Sequence, residues 1–282
     1  LGLFVKERKD IHKLIEEFML LANRTVAEFV FNKNKGKDTF VYRIHDHPDA
    51  ERLETYANLA KKFGHEMKIG EGTSISMALN KLMEEILGKP EQTVLEQLAI
   101  RSMAKAKYTT EAKGHFGLAF QHYTHFTSPI RRYPDMMVHR LLQHYLDGGK
   151  SPEAETWEDK CLHSSEREKR AADSERASIK YKQVEFMSLA EEKDYDGIVT
   201  GVTEWGVFVE ITETKCEGMI RVQDMKDDYY QFDEKNMRLI GTRNKKMITL
   251  GEKVMVRVVA TDIDRRTIDL EFADNEPRNK RR

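Results

Sequence analysis

Two hydrophobic patterns divide this chain. In the first part, apolar side chains recur every three to four positions, the spacing of one face of an α-helix. A helix is predicted over residues 11–31, and its apolar face consists of Ile15, Phe18, Ala22, Val26 and Phe29. From Tyr195 onward, apolar and polar residues alternate, which is typical of β-strands with one buried side. The pattern therefore predicts a helical half followed by a β half.

The rest of the helical half is predicted to contain one short strand and four further helices. These elements cover residues 39–43, 51–63, 74–87, 90–105 and 135–145. Ser165-Glu-Arg-Glu168 has the form of a capping box, in which the first and fourth side chains satisfy free backbone N–H groups. We predict that a long, exposed, charged helix begins there and runs to about residue 191 as a connection between the two halves.

The β half contains five strand-like segments separated by Gly, Asp and Asn. They lie at residues 196–202, 206–211, 218–222, 253–260 and 267–272. Five such strands in about 80 residues predict a small closed barrel of the OB type. Phe208 lies between two valines of an alternating strand, so it is predicted to face outward, where its ring can stack on a nucleic-acid base. Tyr195 and Trp205 are weaker candidates for the same contact, and Arg221 is a candidate for binding the nucleic-acid backbone.

A cluster of aromatic and acidic residues, Asp227-Asp-Tyr-Tyr-Gln-Phe-Asp233, lies between the third and fourth predicted strands. It has two interpretations, an RNA-binding platform or a packed insertion with its carboxylates in solvent. The second is favoured, because carboxylates repel phosphate groups.

Composition limits the possible classes of function. Charged residues make up 34% and hydrophobic residues 39% of the 282 positions, and no apolar run is long enough to span a membrane. Two well-separated cysteines argue against a disulfide framework or a zinc site, so a reducing cytoplasm is expected. The formal net charge is only −1, so any RNA binding requires local positive charge. The basic C-terminal end, residues 274–282, is interpreted as a solvated tail, with an RNA contact as the alternative.

The segment Thr127–Arg132 has the chemistry of a phosphate site. Ser128-Pro129 is a typical helix start, and free N–H groups at such a start attract anions. Arg131 and Arg132 add planar donors whose geometry matches phosphate oxygens. The alternative from these residues alone is an ordinary capped helix start with two solvated arginines.

A longer block around this segment carries a family resemblance. His125-Phe-Thr-Ser-Pro-Ile-Arg-Arg-Tyr-Pro-Asp135, preceded by Gly114-His-Phe-Gly-Leu-Ala119, closely resembles the catalytic (RNB) domain of the ribonuclease II/ribonuclease R family. Similar blocks occur at residues 12–23, 41–45 and 101–108. The β half resembles the RNA-binding domain named after ribosomal protein S-one.

The resemblance implies an α+β fold, in which the mainly helical C-terminal part of an RNB catalytic domain is followed by a five-stranded OB-fold barrel. The expected divisions are 1–164 for the RNB part, 165–191 for the connecting helix, 192–273 for the barrel and 274–282 for the tail. The implied activity is processive 3′-to-5′ hydrolysis of single-stranded RNA to nucleoside 5′-monophosphates.

The resemblance also implies roles for particular residues. It places the catalytic arginine at Arg131 and an acidic position near the terminal nucleotide at Glu16 or Glu17, of which helical geometry slightly favours Glu16. Further residues around the turn are candidates for contacting RNA, namely Arg132, Ser128, Thr127, His125, Tyr123 and Tyr108. Asp135 and His139, further along the block, are interpreted as structural.

Family members hold Mg²⁺ with clustered aspartates, and such a cluster is expected upstream of Leu1 rather than within this chain. We therefore expect no metal site here and no activity from these 282 residues alone. The expected partner is single-stranded RNA, bound by a monomer with no membrane association. The alternative is a non-catalytic single-stranded RNA-binding protein.

Overall fold

The computed structural model describes residues 9–67, 73–89 and 91–273. The helices are α1 (Asp10–Asn34), α2 (Ala50–Lys62), α3 (Thr73–Ile86), α4 (Gln92–Ser102), α5 (Tyr133–Leu146) and α6 (Ala154–Ser188). The strands are β1 (Tyr42–Ile44), β2 (Lys107–Thr109), β3 (Asp194–Val202), β4 (Gly206–Ile211), β5 (Glu217–Arg221), β6 (Tyr230–Asp233), β7 (Arg238–Gly241), β8 (Met247–Thr249), β9 (Lys253–Asp262) and β10 (Thr267–Phe272). The predicted basic tail lies outside the described residues.

The α+β class and the order of the two halves are confirmed. Antiparallel strands β1 and β2 form a small sheet in the helical half. Around it lies a core built by α1, α5 and α6, to which Tyr42, Tyr108, Met137 and Leu141 contribute. A second core joins α2, α3 and α4. No helix in the described part of the chain is long and apolar enough to cross a membrane.

Helix α1 packs through a different face from the one predicted. Its buried residues are Asn23, Ala27 and Val30. Large residues of the predicted face are exposed instead, namely Ile15, Phe18 and Phe29. The prediction was wrong because hydrophobic spacing alone cannot decide which of two neighbouring sides of a helix is buried in the core. The small Ala27 allows α1 to join the core, and Asn23 is buried because its polar atoms are hydrogen-bonded there.

Helix α6 begins at Ala154, so the predicted start at Ser165 is wrong. Ser165 lies within the helix, where its hydroxyl donates to the carbonyl of Cys161 and accepts from the N–H of Tyr108. The side chain thus ties α6 to β2 instead of capping a helix. Farther along, Lys180 donates to the carbonyl of Glu217, which joins the end of α6 to the barrel.

The predicted barrel is confirmed. Five strands close in the order β10-β5-β4-β3-β9, with β5 and β10 parallel and the other pairs antiparallel. Its interior contains mainly the alternate residues of these strands, such as Val199, Val207, Val209 and Ile220. Val94 of α4 packs against the same core, so the helical half and the barrel are in contact.

The segment between β5 and β9 forms a separate sheet of β6, β7 and β8, which the strand pattern did not predict. Leu239 and Ile248 anchor it to the barrel core, as expected for a packed insertion. The carboxylates, however, are not all in solvent. Asp228 is buried, and five main-chain and side-chain donors converge on its carboxylate.

Candidate functional site

The segment Ser128–Arg132 is a turn, and it does not begin the following helix. The N–H groups of Arg131 and Arg132 both donate to the carbonyl of Ser128, at 3.3 and 3.0 Å. Arg132 has an extended backbone, and α5 begins after it with Pro134 in the first turn. The predicted helix start at Ser128-Pro129 is therefore wrong. The helix predicted over residues 135–145 is confirmed as α5, with Pro134 in its first turn.

Two buried polar side chains from opposite directions hold this turn. Asn23 of α1 accepts the N–H groups of Phe126 and Thr127, at 2.9 and 3.2 Å, and donates to the hydroxyl of Tyr123. Asp135 of α5 accepts the N–H of Ser128 at 2.7 Å. The loop backbone is thereby fixed at three successive residues.

Asp135 also pairs with Arg132. Nη2 of the guanidinium donates to Oδ2 at 3.0 Å, and Nε lies 2.9 Å from Oδ1 as an ion-pair contact without hydrogen-bond geometry. The Asp135 side chain is fully buried, so its charge depends on this partner. Asp135 is a structural residue, as predicted, and Arg132 is committed to an internal ion pair.

Arg131 is in the opposite situation. It is exposed, and it makes no ion pair within the described ranges. Its neighbour Ile130 is fully exposed as well. The turn therefore presents one guanidinium outward while it fixes the other.

A small cavity of about 240 Å³ adjoins the turn. Its walls are formed by His12, Ile15, Glu16, Met19, Leu20, Asn23, Tyr123 and Arg132. Of the two candidate acidic residues, Glu16 lines this cavity and Glu17 does not, which agrees with the slight preference from helical geometry. A nearby hydroxyl, Oγ1 of Thr127, is buried and has no hydrogen-bond partner in the described part of the chain.

The aromatic residues before the turn form a network. The Tyr108 hydroxyl lies 2.7 Å from Nδ1 of His125. Burial, with Arg132 and Arg43 nearby, lowers the pKa of His125 to about 3, so its ring is neutral at ordinary pH. Tyr123 is 3% exposed and lines the cavity. Tyr108 is 2% exposed and covered by the guanidinium of Arg43, so its ring is not available as a stacking surface.

The Gly114–Ala119 block forms a tight loop against β1. Nδ1 of His45 accepts the N–H of Gly117, and Nε2 of His45 lies 2.8 Å from the carbonyl of Ala104. A Cβ at Gly117 would lie 2.9 Å from His45, so this close approach requires glycine. No role was predicted for His45 or Asn23 from the sequence. Asn23 is a polar residue on the buried side of α1, and that position could have indicated a structural hydrogen-bonding role.

On the barrel, Val207 and Val209 are buried and Phe208 is partly exposed, so the predicted alternation is confirmed. Trp205 is largely exposed. Tyr195 is enclosed, and its hydroxyl donates to the carbonyl of Glu191, so its ring is not presented at the surface. Arg221 forms an ion pair with Asp269, in which the single nitrogen Nη2 donates to both carboxylate oxygens, at 3.0 and 2.9 Å.

Among the described residues, no group of three or more His, Cys, Asp or Glu side chains is arranged to hold a metal ion. Asp135, the carboxylate nearest the turn, is already occupied by Arg132 and the N–H of Ser128.

Comparison with known proteins identifies the family. A sequence model of the RNB domain matches residues 2–148. The chain belongs to the RNB family. A model of the S1 RNA binding domain matches residues 188–272, which agrees with the barrel. Ribonuclease R 1 of Lactococcus lactis is 40% identical over 280 residues, covering 96% of this chain and 33% of that protein. Ribonuclease R of Escherichia coli is 35% identical, covering 97% and 35%.

Solved structures agree with this fold. RNase R of Mycoplasma genitalium in complex with ribose methylated single-stranded RNA superposes with a TM-score of 0.86 at 26% identity, covering 95% of this chain and 42% of that chain. Yeast Ssd1, a pseudonuclease, shares the fold with a TM-score of 0.62 at 21% identity, covering 88% and 29%. The chain thus spans about a third of the length of the ribonuclease R relatives described above.

Proposed function

We propose that this chain is the C-terminal part of a processive 3′-to-5′ exoribonuclease, which releases nucleoside 5′-monophosphates from single-stranded RNA. The observation that carries the proposal is the turn Thr127–Arg132, which is clamped by buried side chains and presents Arg131 outward. Membership of the RNB family and similarity to proteins named ribonuclease R support it.

In this proposal an RNA phosphate lies against the turn. Hydrolysis of a phosphodiester builds negative charge on the non-bridging oxygens and on the leaving 3′ oxygen. The outward guanidinium of Arg131 binds that charge through a planar fork, and an interaction stronger in the transition state than in the ground state raises kcat.

The cavity beside the turn is the proposed place for the ribose of the terminal nucleotide. At about 240 Å³ it is smaller than the roughly 300–1,000 Å³ of most ligand pockets, so it suits a sugar rather than a whole nucleotide. Glu16 lines it, and a carboxylate there can accept hydrogen bonds from ribose hydroxyls.

The resemblance implies Mg²⁺ for the whole protein. The donor sets of the described residues do not fit a magnesium site, which takes several oxygen ligands. We propose that aspartates elsewhere in the longer protein hold the ion.

The barrel is proposed to bind the single-stranded RNA that leads toward the turn. Phe208 supplies a partly exposed ring on a strand face, and the match to the S1 RNA binding domain supports this role. We propose a monomer in the cytoplasm. The two cysteines, both buried free thiols, fit a reducing compartment.

The experiment is a cleavage assay of the full-length protein on single-stranded RNA labelled at its 5′ end, with Mg²⁺. The proposal expects progressive shortening from the 3′ end and nucleoside 5′-monophosphates as products. Internal cuts, or shortening from the 5′ end, would contradict it.

A second candidate function is single-stranded RNA binding without catalysis. The resemblance to a pseudonuclease shows that this fold alone does not require activity. RNA bound tightly by the full-length protein but left uncut in the same assay would favour this candidate.

A further inference from the structure

The insertion between β5 and β9 ends in a compact tip, defined here as residues 227–229 and 242–246. The two segments are joined through Asp228, whose side chain is fully buried. Its carboxylate accepts the N–H groups of Tyr229, Arg243 and Asn244, at 2.7, 2.8 and 2.6 Å, and the hydroxyl of Thr242 at 3.2 Å.

These contacts give the tip a fixed shape. Burial alone would raise the pKa of Asp228, but the hydrogen bonds from Asn244, Tyr229 and Arg243 outweigh it and hold the pKa well below its usual value. A Cβ at Gly241 would lie 2.0 Å from Oδ1 of Asn244, so glycine is required for the loop to close this tightly.

The geometry reduces the objection that carboxylates in this segment would repel RNA. The charge of Asp228 points into the tip and is paired there with backbone donors and with Arg243, whose Nε lies 3.2 Å away. Asp227 is exposed and accepts the hydroxyl of Tyr230 at 2.7 Å, so one carboxylate stays at the surface of the tip.

The outer surface of the tip is aromatic and cationic. Tyr229 is 77% exposed, and the guanidinium of Arg243 lies 5.8 Å from the centre of its ring. Lys245 and Lys246 are exposed on the same loop. The ammonium group of Lys246 lies 5.1 Å from the ring of Phe272 at the end of β10.

The tip adjoins one end of the barrel. Gly206, at the start of β4, pairs with Arg221 at the end of β5, so the exposed Trp205 lies at this end. Strand β10 runs parallel to β5 and ends at Phe272, which places Phe272 and Lys246 at the same end. Phe208 is on β4, close to this end of its strand.

We propose that the insertion tip is a second contact for single-stranded RNA, with Tyr229 stacking on a base while Arg243 and Lys245 bind the adjoining phosphates. The proposal rests on the proposed RNA binding by the barrel and extends it beyond the strand face that carries Phe208. An exposed ring held beside cations is the arrangement that single-strand binders use, and it tolerates any base. The buried Asp228 orders the loop before binding, which lowers the entropic cost of RNA contact.

The test is binding of a fluorescent twelve-nucleotide oligouridylate to this chain, measured by anisotropy over a salt series. Tyr229→Ala is expected to weaken binding roughly tenfold, and Tyr229→Phe to bind like the unchanged chain, because only the ring is needed. Arg243→Ala is expected to weaken binding. It is also expected to make the slope of log K against log salt concentration less steep by about 0.7, the value for one lost phosphate contact to a single strand.

Matched controls lie at the opposite end of the barrel. Like Tyr229, Tyr181 has a cation over its ring, the ammonium group of Lys182. It lies on the part of α6 that contacts Glu217, at the start of β5. Lys193 is a surface cation paired with Glu213. Tyr181→Ala and Lys193→Ala are expected to leave the dissociation constant within twofold of the unchanged chain.

The outcomes separate the two proposals. If Phe208→Ala weakens binding while Tyr229→Ala and Arg243→Ala do not, the tip proposal is wrong and barrel binding stands. Equal losses in the Tyr181 and Tyr229 variants would also overturn the tip, since the effect would not depend on position. No binding by the unchanged chain would contradict RNA recognition by both surfaces.

Discussion

The turn at Thr127–Arg132 and the outer face of the barrel are both proposed to bind RNA, but they are held in place in opposite ways. The turn is held by buried polar groups from distant segments, Asn23 on α1 and Asp135 on α5. The barrel face presents Phe208 from a regular strand, where only local alternation sets its direction. A loop whose backbone is fixed at several points suits transition-state binding, which requires a fixed geometry. A solvent-exposed aromatic ring suits RNA binding that does not depend on sequence.

The comparison predicts that single substitutions disturb the turn more than the barrel face. The largest loss of stability is expected from Arg132→Ala, which leaves the fully buried carboxylate of Asp135 without its cation. Removing one partner of a buried pair costs about 3–5 kcal/mol. Urea denaturation followed by circular dichroism measures it, with Arg140→Ala on the exposed side of α5 as the control. A loss similar to that of the control would show that the pair does not support the turn.

A smaller loss is expected from Asn23→Ala. The substitution leaves the N–H groups of Phe126 and Thr127 without their acceptor and removes a donor to Tyr123. The expected total cost is about 1–3 kcal/mol, the cost of leaving a buried polar group unsatisfied, because Phe126 and Thr127 are only partly buried and water can replace part of the lost bonding. The matched control is Asn34→Ala at the exposed end of the same helix, which is expected to change the unfolding free energy little. Equal effects of the two substitutions would contradict the role given to Asn23.

Phe208→Ala is expected to affect binding rather than folding. If the ring stacks on a base, its removal weakens single-stranded RNA binding by about 1–3 kcal/mol. Anisotropy with a labelled oligonucleotide measures the dissociation constant, and Tyr181→Ala serves as the aromatic control. An unchanged dissociation constant with an intact fold would remove Phe208 from the RNA-binding face.

The smallest expected effect concerns pH. The pKa of His125 is about 3 in the folded chain and about 6.5 in an unfolded one. Between these values only the unfolded state takes up the proton, so stability is lost as the pH falls below about 6.5. At pH 5.5 the free energy of unfolding is lower by about 1 kcal/mol because of this proton uptake. In His125→Gln, the decrease in the free energy of unfolding between pH 7 and 5.5 is expected to be smaller by that amount. An identical loss in the variant would show that His125 does not contribute.

The strand pattern predicted the barrel well, because inside and outside alternate strictly on a strand, as Val207 and Phe208 show. The clamp on the turn was not predictable in the same way. Asn23 meets Phe126 only when α1 lies against the loop, and no local spacing encodes a contact across about 100 residues. Helix α5 itself was predicted, but the further helix start expected at Ser128-Pro129 is a turn for a related reason. The buried Asp135 of α5 holds the N–H of Ser128, and this contact is not visible in the local sequence.

Arg131 is proposed to bind the negative charge that develops during cleavage. Single-turnover cleavage by the full-length protein tests this role most directly. Rate and RNA affinity are measured for Arg131→Ala and Arg131→Lys under identical salt. The account predicts a rate lowered about 10²–10³-fold with affinity nearly unchanged, and no rescue by lysine, which lacks the planar fork. Cleavage at the unchanged rate, or equal losses of rate and affinity, would contradict the transition-state role.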